Sequence, residues 1–236
     1  MRNRRMHAIL AVALLSAGCT NRVFSEEPWF DSAKALGGPA FRDGIWLTED
    51  RRCNVREAEP AERWPDCASW VYRRANQSLT TQWSESCERR SCQRTYDDWS
   101  SDEELVVAGD PVISQESGCD LGSREDASPD GVPLEKAVVE TKPTTKYCYS
   151  AVRPLSHDGQ GKIMSVETWP VLCGPWPGEG AKSAVTNHPW PGVTIVKENC
   201  TVASEAVLRD VAERSYEVAK QAGLVIRIHW VRDGYR

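Results

Sequence analysis

Nine cysteines are spread along the chain, and they limit its fold more than any other feature. Cys19 stands alone behind an apolar leader. The other eight are Cys53, Cys67, Cys87, Cys92, Cys119, Cys148, Cys173 and Cys200. In an exported chain an even set of this kind reads as a disulfide framework, here four bridges. Zinc would need repeated CxxC spacing or clustered histidines, whereas His157, His188 and His229 are scattered. No metal and no cofactor are expected. Short loops close at the smallest entropic cost, which predicts that neighbours pair: Cys53 with Cys67, Cys87 with Cys92, Cys119 with Cys148, and Cys173 with Cys200. The rival is Cys148 with Cys173, flanking a hairpin whose turn is centred near Gly159. A register in which paired residue numbers sum to about 318 sets Cys148 opposite Pro170. Cys173 then lies roughly 10 Å further along, beyond the span of about 4.4 to 6.8 Å between linked Cα atoms.

The leader carries Arg2, Arg4 and Arg5, then an apolar run from Ala8 to Leu15, then Ser16-Ala17-Gly18. These are the three regions of a signal peptide. About eleven apolar residues are too few for a membrane helix, which needs roughly 18 to 20. Leu15-Ser16-Ala17-Gly18-Cys19 resembles the lipobox of bacterial lipoproteins, with Ser16 where Leu is commoner. The resemblance implies a lipoprotein precursor in which residues 1–18 are removed and Cys19 is thioether-linked to diacylglycerol and N-acylated, palmitate being the typical chain. Three chains anchor stably where one, at about 0.8 kcal/mol per buried methylene, holds only marginally. Thr20 stands where an Asp would imply inner-membrane retention, so the resemblance implies the cell outer membrane if the cell is Gram-negative.

Removing three leader arginines and no acid takes the formal charge from −5 to −8. An acidic surface argues against nucleic acid and gives no electrostatic help toward anionic lipids. The expected partners are the membrane, through the N-terminal lipid, and an envelope protein or glycan.

Residues 19–42 have the composition of a tether, with Trp29 and Phe30 able to dock. Residues 43–236 read as a single β-rich domain. Strands are expected at Asp43 to Leu47, Ala68 to Arg73, Leu105 to Ala108, Val112 to Gln115, Lys146 to Val152, Ile163 to Trp169 and Val193 to Lys197. Polar insertions are expected near 84–104 and 116–133, and irregular structure from Gly174 to Gly192. One amphipathic helix is predicted from Val202 to Ala222, with Ala203, Val207, Val211, Val218 and Ala222 inward, Thr201 as cap and Gly223 as stop. Glu205 with Arg209 and Asp210 with Arg214 form i,i+4 pairs on its wet face. In the last strand Leu224, Ile226, Ile228 and Trp230 face one way, under the helix, and Arg227 and His229 the other. The fold class is therefore α+β: a mostly antiparallel sheet, sandwich or barrel, with one C-terminal helix and a final strand, stapled by disulfides.

Ten Trp against three Phe is a choice of Trp over Phe, suited to sugar stacking or to half-buried cores. Four Trp precede Pro, at Trp64, Trp169, Trp176 and Trp190, which marks strand ends and turns. Gly44-Ile45-Trp46, followed by many strands, a helix and a last strand, is similar to the order of elements in lipocalins. That resemblance implies an eight-stranded barrel with a lipid- or ligand-holding cup. The sequence carries no GxSxG, HExxH or phosphate-binding glycine loop. His157 beside Asp158 is a candidate base, but Asp158-Gly159-Gln160-Gly161 reads as a hairpin turn. Arg89 and Arg90 between Cys87 and Cys92 could activate a thiol, yet a loop staple is the simpler reading. These features point to a non-catalytic binding or structural role in the envelope. The alternatives are a lipocalin-like or glycan-binding receptor and, behind it, an envelope hydrolase or redox enzyme.

Overall fold

The computed structural model describes residues 21–35, 38–50, 52–65, 67–74, 77–88, 91–117, 146–177, 185–196 and 199–234, the stretch 74–103 by its backbone. Cys19 and Cys119 lie outside the described residues, as do 118–145, most of the second expected insertion.

The strands are β1 (Phe24–Ser25), β2 (Gly44–Thr48), β3 (Trp70–Arg74), β4 (Gln77–Glu88), β5 (Ser91–Val107), β6 (Val112–Ser117), β7 (Tyr147–His157), β8 (Ile163–Pro170), β9 (Val193–Val196), β10 (Asn199–Val202) and β11 (Ile226–Arg232). A short helix α1 (Ser32–Ala35) precedes β2, and α2 (Glu205–Gln221) precedes β11. Each of β2 to β8 pairs antiparallel with the next, β11 pairs with both β8 and β2, and the ladder of eight strands returns on itself in a curled, barrel-like sheet. A separate hairpin is formed by β9 and β10.

Strand alternation sorts the apolar side chains to two faces. Inward, Trp46, Val71, Val106, Val112, Val152, Val166, Ile228 and Trp230 make one cluster with Phe41 and Ile163. Outward, Ile113, Tyr149, Ala151 and Trp169 pack against Leu208, Val211 and Ala212 of α2. A second outer patch, Ile45 and Leu47 with Trp70 and Tyr72, is covered by Ala61 and Trp64 of the loop between β2 and β3.

The expected strands are found, with differences that have physical reasons. The polar segment 84–104 is no insertion: it belongs to a long hairpin, with β4 of 12 residues and β5 of 17. Only Gln77 to Leu79 pair with β3 and only Glu104 to Val107 with β6. The rest pairs as a two-stranded ribbon, β4 with β5 alone. The helix starts at Glu205, three residues later than expected, because Ser204 caps it by accepting from Val207 N at 3.3 Å. Thr201 and Val202 belong instead to β10. Its inward face is Leu208, Val211, Ala212, Ser215 and Ala219, while Val207 and Val218 flank it and Ala203 and Ala222 are exposed. Both i,i+4 pairs form, at 3.0 Å and 2.7 Å. The alternation of β11 holds, but its apolar side faces the inside of the ring. The helix covers β7 and β8 from outside, held by the indole N–H of Trp169 on Ala212 O at 2.8 Å.

The expected tether is bound to the domain along much of its length. Asn21, Val23, Phe24 and Phe30 are buried. The Gln115 side-chain amide accepts from Phe30 N and donates to Phe30 O, both at 3.0 Å, in the manner of a strand neighbour. Tyr149 Oη bonds Ser25 Oγ at 2.5 Å, and burial pushes its phenol above the ordinary value.

Outside the ring, Glu167 accepts from Arg227 at 2.7 Å and from Tyr216 Oη at 3.2 Å, with Arg153 at 3.7 Å. Burial alone would raise its carboxyl. The hydrogen bonds from Arg227 and Tyr216, with the two cationic charges, outweigh that, and the net direction is below the ordinary carboxylate range. A group depressed by folding contributes stability above its unfolded pKa, about 4.3 for Glu, and loses it as pH falls through the folded value. Glu167→Gln is therefore expected to lower the melting temperature at neutral pH, the gap to wild type closing in acid. A gap independent of pH in parallel thermal melts would contradict this.

Candidate functional site

The inside of the ring is not filled evenly. At one end Phe41, Trp46, Ile163 and Trp230 close it: Phe41 meets Trp46 edge-on with centroids 5.4 Å apart, and Arg42 stacks on Trp230 at 3.9 Å. Gly44 makes this approach possible. Its φ of +131° disfavours any side chain, and an added Cβ would collide with the backbone of Arg232.

Toward the other end a cavity of about 440 Å³ remains. Its walls differ in chemistry. One, from β8, β11 and Leu224 two residues before β11, presents Val166, Pro170, Leu224, Ile226 and Ile228. The facing wall presents Arg73, Glu104, Ser114, Glu116 and Ser150. Arg73 is placed inward by the same alternation that turns Val71 inward on β3. Its guanidinium lies 2.9 Å from Glu104 and 4.3 Å from the Phe41 ring centre, and Ser114 Oγ donates to Glu104 at 2.6 Å. The pair is almost fully enclosed, with 11% and 6% of the side chains exposed. Buried ion pairs offset their desolvation only when the remaining donors and acceptors are satisfied. Among the described residues Arg73 Nε, buried, has no acceptor. Arg22 reaches the mouth from the N-terminal segment and donates to Ser150 Oγ at 3.2 Å.

The arrangement provides one apolar wall, one hydrogen-bonding wall and a buried cationic donor, which is binding chemistry. Among the described residues no cysteine lines it. Cys53 bonds Cys67 and Cys173 bonds Cys200, with Cα atoms 5.6 Å and 6.0 Å apart. Cys87 stands opposite Cys92 in the β4–β5 register. Cys148 is disulfide-bonded. Cys173 with Cys200 excludes the rival pairing, though not for the register reason: Ser150, not Cys148, stands opposite Pro170.

The histidines lie elsewhere. His157 is exposed at the end of β7, and Asp158 caps the turn by accepting from Gln160 N and Lys162 N at 2.8 Å and 2.9 Å. His188 bonds Asn187 at 2.6 Å. His229 faces outward, 3.0 Å from Glu57 and 3.6 Å from Glu49. Among the described residues no group of three or more His, Cys, Asp or Glu is placed to hold a metal ion. Sequence reasoning missed Arg73, Glu104 and Arg22. The one available signal was a charged residue in an inward phase, Arg73 two positions after Val71. No family model, no curated protein and no solved structure matches this chain.

Proposed function

We propose that this chain is a lipid-anchored protein of the bacterial cell envelope, attached through Cys19, whose work is the binding of a small ligand without catalysis. The carrying observation is the two-walled cavity with the Arg73–Glu104 pair inside it. It favours a receptor over a purely structural lipoprotein. The glycan-binding alternative draws less support, because Trp46, Trp64, Trp169 and Trp230 each spend the indole N–H on a backbone carbonyl within the domain. No helix among the described residues is long and apolar enough to cross a membrane.

The test is purification of the full chain from its own envelope in mild detergent. Intact mass is expected to show an acylated Cys19, and Cys19→Ala should abolish palmitate incorporation. Native mass spectrometry of the wild-type protein should show a non-covalent small-molecule adduct. Palmitate in the Cys19→Ala protein sinks the anchor, and a protein that never carries an adduct sinks the binding role.

A further inference from the structure

We propose that the chain pairs with a second copy of itself through the free edge of β4, the two β4–β5 ribbons joining into one four-stranded antiparallel sheet about a two-fold axis at Ser84. This goes beyond the binding role and rests neither on the cavity nor on Cys19.

The backbone gives the first reason. β3 pairs with β4 only at Gln77, Ser78 and Leu79. Along residues 80–88, β4 has β5 on one side and, among the described residues, no strand on the other. Successive residues of a strand turn their N–H and C=O to alternate sides, so every second residue of this stretch has no strand partner for either group. At about 3.3 Å per residue the stretch runs for roughly 26 Å. A ribbon of two strands is only marginally stable by itself, and further strands are what ordinarily support it.

Only one of the two ribbon edges is guarded. Lone edges are protected by proline, by charge and by bulges that twist them away. On β5 the register shift leaves Asp97 as the extra residue, next to Asp98. Antiparallel self-pairing about the middle of β5 would set these acids against one another and meet the bulge. Residues 80–88 of β4 read Thr-Thr-Gln-Trp-Ser-Glu-Ser-Cys-Glu, without proline, glycine, lysine or arginine, and the extra residue of the bulge is not among them. The open edge is therefore that of β4.

The sequence of that edge is self-complementary. Antiparallel pairing about Ser84 matches the whole unpaired stretch with the same stretch of a second copy. Ser84 meets the partner's Ser84, Trp83 the partner's Glu85, Gln82 the partner's Ser86, Thr81 the partner's Cys87 and Thr80 the partner's Glu88. Like charges nowhere stand directly opposite, the arrangement that would destabilise a pair of strands. Within its own ribbon Glu85 already stands opposite Arg94, a residue of the other sign. A centre nearer the ring is blocked: pairing about Trp83 would set the partner's Glu88 against Ser78, whose free side β3 already occupies through Arg73. The two-fold arrangement is closed, since each copy offers the same edge and neither is left with an open one on β4.

The test uses the full chain purified in mild detergent and read by native mass spectrometry. The wild-type protein is expected to pass from monomer to dimer as its concentration rises, and amide hydrogen exchange along residues 80–88 to slow at every second residue over the same range. Ser84→Lys and Ser84→Glu each set like charges opposite one another at the two-fold axis and should weaken the dimer several-fold, whereas Ser84→Thr should leave it unchanged. An equal mixture of the two charged variants should restore it as a mixed dimer, a recovery that a misfolded ribbon could not give. A wild-type chain that stays monomeric, charged variants that dimerise as strongly as wild type, or a mixture no better than its components would each overturn the proposal. Protection of residues 80–88 that does not depend on concentration would overturn it too, by assigning the edge to a contact within one chain.

Discussion

Val211→Asp is expected to lower the unfolding free energy by about 3 to 5 kcal/mol, a large share of what a domain of this size has to lose. Val211 is completely buried where α2 meets the outer face of β7 and β8. A carboxylate there finds no cation, because the two nearest i,i+4 pairs of the helix occupy its solvent side. Arg209→Ala is the informative comparison. Arg209 does more than pair with Glu205: it donates to Pro111 O at 3.2 Å and Ala108 O at 3.0 Å, tying the helix to the turn between β5 and β6. Its loss should cost about 1 to 2 kcal/mol, more than a surface ion pair and less than the buried valine. Equal urea midpoints for the two variants would show the wrong helix face to be inward.

The second large effect is expected from the Cys173–Cys200 bridge. In the chain-entropy account, opening a loop of this length destabilises by roughly 3.5 kcal/mol. Replacing both cysteines by alanine adds a local consequence. Cys173 N donates to Asn21 O, and the N-terminal segment also bridges Leu172 and Cys200. The double variant should therefore lose hydrogen-exchange protection first at Asn21 to Phe24, and its loss of stability should exceed that of the corresponding Cys53 and Cys67 variant. Removing the latter bridge loosens only the outer loop over β2 and β3. A smaller effect at Cys173 and Cys200 would mean that the N-terminal segment is held by its side chains alone.

How far the sequence was legible depended on whether a residue's role was local. The strands β2, β6, β7 and β8 were readable because one or both faces are buried, and the phase of β11 because Ile226, Ile228 and Trp230 alternate with Arg227 and His229. The helix was readable in type and in part of its face: Val211 is buried and Val207 and Val218 pack at the margin, while Leu208, Ala212, Ser215 and Ala219 complete the buried face. The ribbon of β4 and β5 was misread since its sequence is largely polar in both phases and carries no apolar period. Asn21 and Gln115, which fix the N-terminal segment through side-chain amides to distant backbone, carry no local signature at all. Arg73 and Glu104 are separated by the long β4–β5 hairpin, and the register of β3, β4 and β5 brings them together, while closure of the ring by β11 adds apolar residues facing them.

That closure has a consequence in time. The last strand to be synthesised in this ring, β11, sits between β8 and β2, and Trp230 donates to Asp43 O across 187 positions of sequence. Contacts of such separation are the slowest to form, because a long loop must be closed before they return any stability. A chain emerging N-terminus first cannot complete its inner wall until its final strand arrives. For as long as β11 is missing, β2 and β8 both present free edges and the cavity lacks Ile226 and Ile228 of its apolar wall. The interval before β11 pairs is then when this protein is most exposed to strand exchange with its neighbours, and a holdase that covers a strand edge would act in that interval.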